Sequence, residues 1–230
     1  MNMFLENSMF AGAAISLGSY AIGLWLRKKS GSSLCNPLLV SIVLTISFLL
    51  LTGTSYESYQ QSTQIISYML TPATVCLALP LYEQFEILRK HWQAVLAGIL
   101  SGVVASLVCI LLMALAFGLM HEEYVTFLPK SITTAIGMGV IEELGGHVSL
   151  GVVIIVITGV LGNVIAEAVL KLFKIEEPIA KGIAIGSASH AVGTARAMEI
   201  GRLEGAMSSL SIVVCGLLTV VLAPIFALFL

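Results

Sequence analysis

One short stretch of the chain places two ionisable side chains among residues that are nearly all small. Between Gly186 and Ala197, every residue before Arg196 is small except His190 and Val192. Small residues allow close backbone approach, and glycines allow unusual dihedral angles. Histidine titrates near neutral pH and suits a coupling proton, whereas arginine carries a permanent, forked charge that matches a carboxylate. The stretch therefore favours a site for a small anion, with His190 coupling a proton. Its substrate-binding candidates are Ser187, Ser189, Gly193, Thr194 and Arg196.

Both ionisable residues also have a simpler interpretation. His190 is equally well explained as a hydrogen-bonded histidine between two helices. Arg196 is equally well explained as a side chain that extends to the membrane interface. Asn163 and Glu167 lie one helical turn apart in a neighbouring apolar segment. We interpret Asn163 as a link between helices and Glu167 as a solvated carboxylate near a membrane surface.

A second polar segment follows Pro129 and ends in two adjacent glutamates. A proline followed by hydroxyl residues can open a half-helix whose free N–H groups suit a carboxylate. Glu142 and Glu143 are neighbours and cannot share one helix face, so at most one points into a cavity. The alternative is an external loop with solvated charges. The candidates are Ser131, Thr133 and Thr134 for substrate binding and Glu143 for proton coupling.

A third segment contains Pro72 and Pro80 within one apolar span. Each proline removes a backbone donor and leaves carbonyls of the preceding turn free. The segment is either simply kinked or unwound toward a cavity. In the unwound form Thr71 and Thr74 join the substrate-binding candidates.

The elements that hold these residues are membrane-spanning helices. The chain has 230 residues, of which 58% are hydrophobic and 10% charged, whereas a soluble domain has about 25% charged residues. A helix needs about 20 apolar residues to cross the hydrocarbon layer. We predict an all-α integral membrane protein with one polytopic domain over 1–230. The apolar segments are 8–26, 35–53, 65–85, 92–119, 149–170 and 205–229, with two shorter ones at 129–146 and 179–200.

The basic residues predict how these segments cross the bilayer, because cytoplasmic loops are rich in Lys and Arg. Basic clusters follow the segments 8–26, 65–85 and 149–170. The first cluster, after an apolar run, is typical of a first membrane helix and not of a cleaved signal. The orientation makes 129–146 a re-entrant or broken helix from outside and 182–200 a hairpin from the cytoplasm or a broken crossing. We expect six to eight transmembrane segments, including these two.

Several classes of function are excluded or disfavoured. No basic face for nucleic acid is visible, and the four cysteines have no pairing that favours a disulfide framework or zinc site. The sequence contains no GxxxxGK[ST] loop, no HExxH and no haem or metal spacing of histidines. We therefore expect no cofactor, no metal and no enzymatic activity.

The motifs together are similar to a known family. They are Pro72-Ala73-Thr74-Val75, Leu79-Pro80-Leu81-Tyr82, Leu128-Pro129-Lys130-Ser131-Ile132-Thr133-Thr134, Glu143-Leu144-Gly145-Gly146, Lys181-Gly182, Ala188-Ser189-His190-Ala191-Val192-Gly193-Thr194-Ala195-Arg196-Ala197 and Glu204-Gly205-Ala206-Met207-Ser208. In order and spacing, over essentially the whole chain, they resemble the LrgB/CidB family of bacterial membrane proteins. The pair Glu142-Glu143 departs from the Ser-Glu pair of many relatives, which puts substrate choice or coupling in question.

This resemblance implies a multi-pass protein of the bacterial cytoplasmic membrane and a fold with discontinuous helices and internal repeats. It also implies a small LrgA/CidA-type membrane partner of holin-like character. Two hypotheses follow. One is a secondary transporter of a small monocarboxylate, of the pyruvate or glycolate kind, coupled to protons. The other is a non-transporting, holin/antiholin-associated regulator of murein hydrolase activity and autolysis, which Gly98, Gly102 and Ala105 would serve as a helix-packing face. Homo-oligomerisation is left open.

Overall fold

The computed structural model describes residues 8, 10–30, 36–76 and 78–230, and in these residues it is helical without strands. The contacts divide the chain into two units, Met1–Cys76 and Leu77–Leu230. The first unit holds α1 (Ala11–Ser30), α2 (Pro37–Thr52), α3 (Tyr56–Ser62) and α4 (Gln64–Cys76). The second holds α5 (Ala78–Glu83), α6 (Phe85–Phe117), α7 (His121–Phe127), α8 (Thr134–Glu143), α9 (Val148–Leu172), α10 (Pro178–Ile200) and α11 (Arg202–Ala227).

Helix boundaries in the first unit follow local chemistry. At the start of α2, the Asn36 side chain accepts a hydrogen bond from the Leu38 N–H at 2.9 Å, and Pro37 occupies the first turn, where no donor is needed. The helix ends at Gly53, whose φ of 59° lies in the left-handed region that glycine adopts without strain. These signals set the length of α2 at 16 residues.

The first of the two prolines lies in helical backbone. Pro72 is inside α4, and the backbone at Thr71 and Thr74 is helical too. The chain is therefore not unwound around Pro72, and Leu77, between the two prolines, lies outside the described residues. The side chains of Thr71 and Thr74 lie outside the described residues, so their role as binding candidates stays a prediction.

Three of the described helices are long and apolar enough to cross a membrane: Arg89–Phe117 in α6, Val148–Leu172 in α9 and Arg202–Ala227 in α11. Two of them, α6 and α11, carry most of the buried apolar residues of the main core. Val95, Ile99, Val103 and Leu107 recur on one face of α6 and are all buried. This spacing of three to four residues is the stripe that a helix turns toward its neighbours. The three crossings are the frame of the second unit.

Two segments between these crossings are shorter and fold as hairpins. The first hairpin is residues 121–143, in which α7 runs inward and α8 returns. The chain leaving its second arm comes back beside the first arm, where the His147 N–H at the start of α9 donates to the Thr126 hydroxyl at 2.8 Å. Its tip is the loop 128–133. A re-entrant form of this region was one of the two alternatives that the sequence left open.

The second hairpin is α10. A straight helix of its 23 residues would be about 33 Å long. Yet Lys181 near its start and Ile200 at its end line the same pocket, together with Lys174 just beyond α9. The chain reverses at Ser189 (φ −137°, ψ 21°) and His190 (φ 42°, ψ −141°), both non-helical. The segment is therefore a hairpin that enters and leaves on one side.

Candidate functional site between two hairpin tips

The tips of the two hairpins meet beside the crossing helices α6 and α11. Ser131 from the first hairpin and Ser187 from the second line one small enclosed cavity with Ser106 of α6 and Thr219 of α11. Ser106 and Thr219 lie in the interior of their helices, about two-thirds of the way along each. The site is therefore inside the second unit, reached by polar residues from four elements.

The cavity has a volume of about 10 Å³, which is about the room that one water molecule needs. Its other lining residues are apolar apart from the Cys215 thiol, and its described lining includes no charged side chain. The Ser106 hydroxyl oxygen is buried and has no hydrogen-bond partner among the described residues. The Ser187 hydroxyl donates to the Ile183 carbonyl at 2.7 Å, which leaves its lone pairs free. The lining offers hydroxyl groups to whatever enters, and the Ser131 hydroxyl also accepts a hydrogen bond from the Lys130 ammonium at 2.9 Å.

His190 lies at the reversal of the second hairpin and is buried, with 4% of its surface exposed. Its Nε2 lies 3.1 Å from the Ile155 carbonyl of α9. A carbonyl only accepts, so Nε2 carries the hydrogen and Nδ1 is the free acceptor nitrogen. The ring fits against Gly159, where a Cβ would stand 2.8 Å from Nε2. The histidine is therefore held between helices, and it also keeps one nitrogen that can take a proton.

The other predicted residues of the second hairpin hold its shape. The Thr194 hydroxyl bonds the His190 carbonyl at 2.9 Å and the Ser208 hydroxyl at 2.7 Å. The Ser189 hydroxyl donates to Ile185 at 2.8 Å, and Gly193 is buried against these two side chains. These contacts place Ser189, Gly193 and Thr194 inside the hairpin, whereas Ser187 faces the cavity.

Arg196 is not at the tip. Its guanidinium forms ion pairs with Glu167 of α9 and with Glu199, and 16% of its side chain is exposed. It lies six residues beyond His190, about 9 Å along a helix. An anion at Arg196 would have to displace carboxylates that already hold it. Its position fits an anchor between α9 and the second hairpin.

The remaining predicted residues lie in the first hairpin. Thr133 caps α8 without a side-chain hydrogen bond to that helix, and Thr134 begins it; both are half-buried. Glu143 is exposed at the far end of α8, about 14 Å from its first residue. The structure thus brings Ser131 and Ser187 together but keeps Glu143 away from them.

Two residues given minor roles from the sequence connect α9 to the second hairpin. Asn163 donates from Nδ2 to the Val192 carbonyl at 2.7 Å, next to the chain reversal. Glu167 pairs with Arg196 rather than remaining only a solvated carboxylate. The sequence signal for these two contacts was an equal spacing: Asn163 and Glu167 are four residues apart, as are their partners Val192 and Arg196. No comparable signal marks Ser106 or Thr219, which are two of several hydroxyl residues in apolar helices.

Gly98 and Gly102 pack against another helix of this same chain and not against an open surface. A Cβ at Gly98 would stand 3.5 Å from Ile183, and one at Gly102 would stand 3.1 Å from the Ser187 hydroxyl oxygen. Both glycines therefore face α10, so this pattern is satisfied within the chain. The described residues include no group of three or more His, Cys, Asp or Glu side chains placed to hold a metal ion.

Comparison with known proteins gives one consistent result. The sequence model of the LrgB-like family matches residues 16–229. The antiholin-like protein LrgB of Bacillus subtilis (strain 168) is 36% identical over 225 residues, covering 96% of this chain and 97% of the relative. The protein of the same name from Bacillus mycoides (strain KBAB4) is 38% identical over 218 residues, covering 94% and 95%. No solved structure matches the chain.

Proposed function

Because this chain belongs to the LrgB-like family of membrane proteins, we propose that it is a carrier, not an enzyme, for a small monocarboxylate of the pyruvate or glycolate kind. One observation carries the proposal: two hairpins meet tip to tip at hydroxyl groups in the interior of the crossing helices. We place the carrier in the bacterial cytoplasmic membrane.

The free-energy cost of non-helical backbone inside a membrane supports a transporter over a protein that only contacts a partner. Backbone that is not helical is tolerated at membrane depth only where protein or a water-filled cavity surrounds it. Opposed discontinuous elements that meet near the midplane are the way many secondary transporters build a substrate site. A protein that only contacted a partner would need neither the tips nor the buried hydroxyls. Hydroxyls and free helix N–H groups are suited to carboxylate oxygens.

His190 is the proposed proton-coupling residue. It is the titratable group at the reversal of the second hairpin, and its free Nδ1 is able to accept a proton while Nε2 stays bonded to Ile155. Protonation next to the tips would add a positive charge beside the substrate site. Binding of a monocarboxylate would then be favoured when a proton is bound, which couples the two.

Uptake into proteoliposomes tests this function. The purified full chain is reconstituted, and entry of labelled pyruvate and glycolate is followed with and without an inward proton gradient. We expect saturable uptake that the gradient stimulates and that His190→Ala removes. Gly139→Ala is the control, since nothing lies within 4 Å of a Cβ at that position. Folded wild-type protein that takes up neither acid, alone or with an LrgA/CidA-type partner, contradicts the proposal.

A second candidate is favoured by the names of the relatives. Proteins 36–38% identical to this chain are called antiholin-like. On that reading the chain regulates murein hydrolase activity and autolysis through a small LrgA/CidA-type membrane protein. The two candidates are compatible, because a carrier can also need a partner. The regulator would be favoured by three results together. The partner co-purifies with this chain, control of autolysis is lost when this chain is removed, and neither acid is taken up.

A further inference from the structure

Lys130 is a half-buried cation of the second unit that has no carboxylate partner among the described residues. It belongs to the tip of the first hairpin, next to Ser131 of the central cavity. Its ammonium nitrogen donates to the Ser131 hydroxyl oxygen at 2.9 Å. Among the described residues, no carboxylate lies within ion-pair distance of it, whereas Arg196 has two. A charge at membrane depth is costly unless something pairs with it.

Lys130 ends an apolar groove. The groove has a volume of about 390 Å³. Cys109, Met113 and Phe117 line it one turn apart along α6, so it runs for about 12 Å. Its other lining residues are Ile110, Leu119, Phe127 and Lys130. A molecule that fills the groove meets hydrocarbon along its length and one positive charge at its end.

We propose that Lys130, and not Arg196, pairs with the carboxylate of the transported acid, whose apolar body lies in this groove. The inference rests on the proposed function and names its substrate class: a monocarboxylate with an apolar body, in preference to a hydroxyl-rich acid. The Lys130 side chain is half-buried and hydrogen-bonded only to Ser131 among the described residues, so an entering carboxylate supplies a counter-ion for its ammonium group. Ser131 connects this pair to the central cavity, where the tip of the second hairpin lies.

Cys109 reports occupation of the groove directly. It is exposed and lines the groove together with Lys130. With Cys35 and Cys76 replaced by alanine, and with Cys215 buried, alkylation of the purified full chain by a maleimide is expected to follow Cys109. The probe is 4-methyl-2-oxopentanoate, and its neutral amide is the matched control. We expect the acid to slow alkylation and the amide to have no effect.

Variants at Lys130 test the role of the charge. Lys130→Met keeps the length and apolar stem and is expected to raise the concentration for half-protection about thirtyfold or more, because one partner of a buried ion pair is lost. Lys130→Arg keeps the charge and should retain measurable protection. Lys90→Met removes an exposed cation elsewhere on α6 and should change nothing. Thermal unfolding of each variant in detergent confirms folding.

The outcomes separate this inference from the proposed function. Protection that survives in folded Lys130→Met, or protection by phosphatidylglycerol but not by the acid, overturns the assignment of Lys130. If wild type takes up pyruvate and Lys130→Met takes it up equally well, the assignment of Lys130 is overturned as well, while the carrier function stands. Protection that depends on Lys130 without uptake of any acid supports this site and removes the carrier function.

Discussion

At the scale of single residues, the most informative position is His190. Its φ of 42° with ψ of −141° lies in a region that residues with a Cβ rarely occupy. Such a conformation costs on the order of 1–3 kcal/mol and persists only where the surroundings enforce it. Here the Ile155 carbonyl, the Gly159 surface and the Thr194 hydroxyl hold the residue. The strain therefore lies at the chain reversal, beside the proposed site.

Replacing His190 by glycine or by alanine separates the effect of the imidazole ring on stability from the effect of the backbone conformation. His190→Gly and His190→Ala both remove the hydrogen bond to Ile155. Glycine adopts the positive φ without strain, whereas alanine does not. We expect His190→Gly to be more stable than His190→Ala by about 1 kcal/mol, measured by thermal unfolding in detergent. Equal stability, or a more stable alanine variant, would mean that His190 is not held in this conformation.

The role of Arg196 is set by its burial and its neighbours, although its residue type suggests a binding group. Its position in the sequence, six residues after the histidine, predicts a substrate contact equally well as an interface anchor. Glu167 comes from a different helix and Glu199 from the following turn. Their carboxylates give the guanidinium a structural role, whereas Lys130 has no such partner among the described residues.

At the scale of elements, the second hairpin depends on close packing against α11. A Cβ at Gly186 would stand 2.5 Å from the Ser208 carbonyl oxygen and 2.8 Å from its Cα. Backbone atoms cannot move aside as a flexible side chain can. The hairpin therefore approaches α11 only because this position has no side chain.

We expect Gly186→Ala to destabilise the protein by about 2 kcal/mol or more, since it forces the hairpin away from α11. Gly139→Ala is the matched control, because Gly139 lies inside α8 with nothing within 4 Å of its added Cβ. There the helix propensity of alanine should be neutral or favourable by up to about 1 kcal/mol. Unfolding midpoints of both variants in one detergent provide the comparison. Similar effects of the two substitutions would argue against the packing of α10 on α11.

At the scale of the whole molecule, the described part of the second unit has three helices long and apolar enough to cross a membrane, with a hairpin inserted from each side. Lys171, Lys174 and Lys181 lie around one pocket, at the end where α9 finishes and the second hairpin begins. His147 and Glu122 lie 3.5 Å apart at the opposite end of α9. This separation agrees with the distribution expected from the positive-inside rule.

Cysteine accessibility distinguishes a hairpin from a crossing. In a variant without native cysteines, Glu176→Cys and Arg202→Cys precede and follow the second hairpin. We expect a membrane-impermeant maleimide to label both from the same side of sealed vesicles, and Glu142→Cys from the other side. Labelling of positions 176 and 202 from opposite sides would show that α10 crosses the membrane.

The sequence by itself determined the class of the protein, its long helices and the location of its polar interruptions. Hydrophobic length and the scarcity of charge depend on chain composition alone, so the segments predicted at 92–119, 149–170 and 205–229 correspond to α6, α9 and α11. Helix capping and the effect of proline depend on only a few neighbouring residues, so they too are determined by the sequence. The motifs also identified the family, which the match over residues 16–229 confirmed.

Only the tertiary structure decided which polar residues meet. Ser131 and Ser187 are far apart in the chain, and their common cavity exists because two hairpins enter the bundle from opposite ends. The roles of Arg196 and Lys130 depend on whether a carboxylate from another helix lies within reach. Distances between helices are set by packing of small residues across the whole bundle, and no local pattern of the sequence contains them.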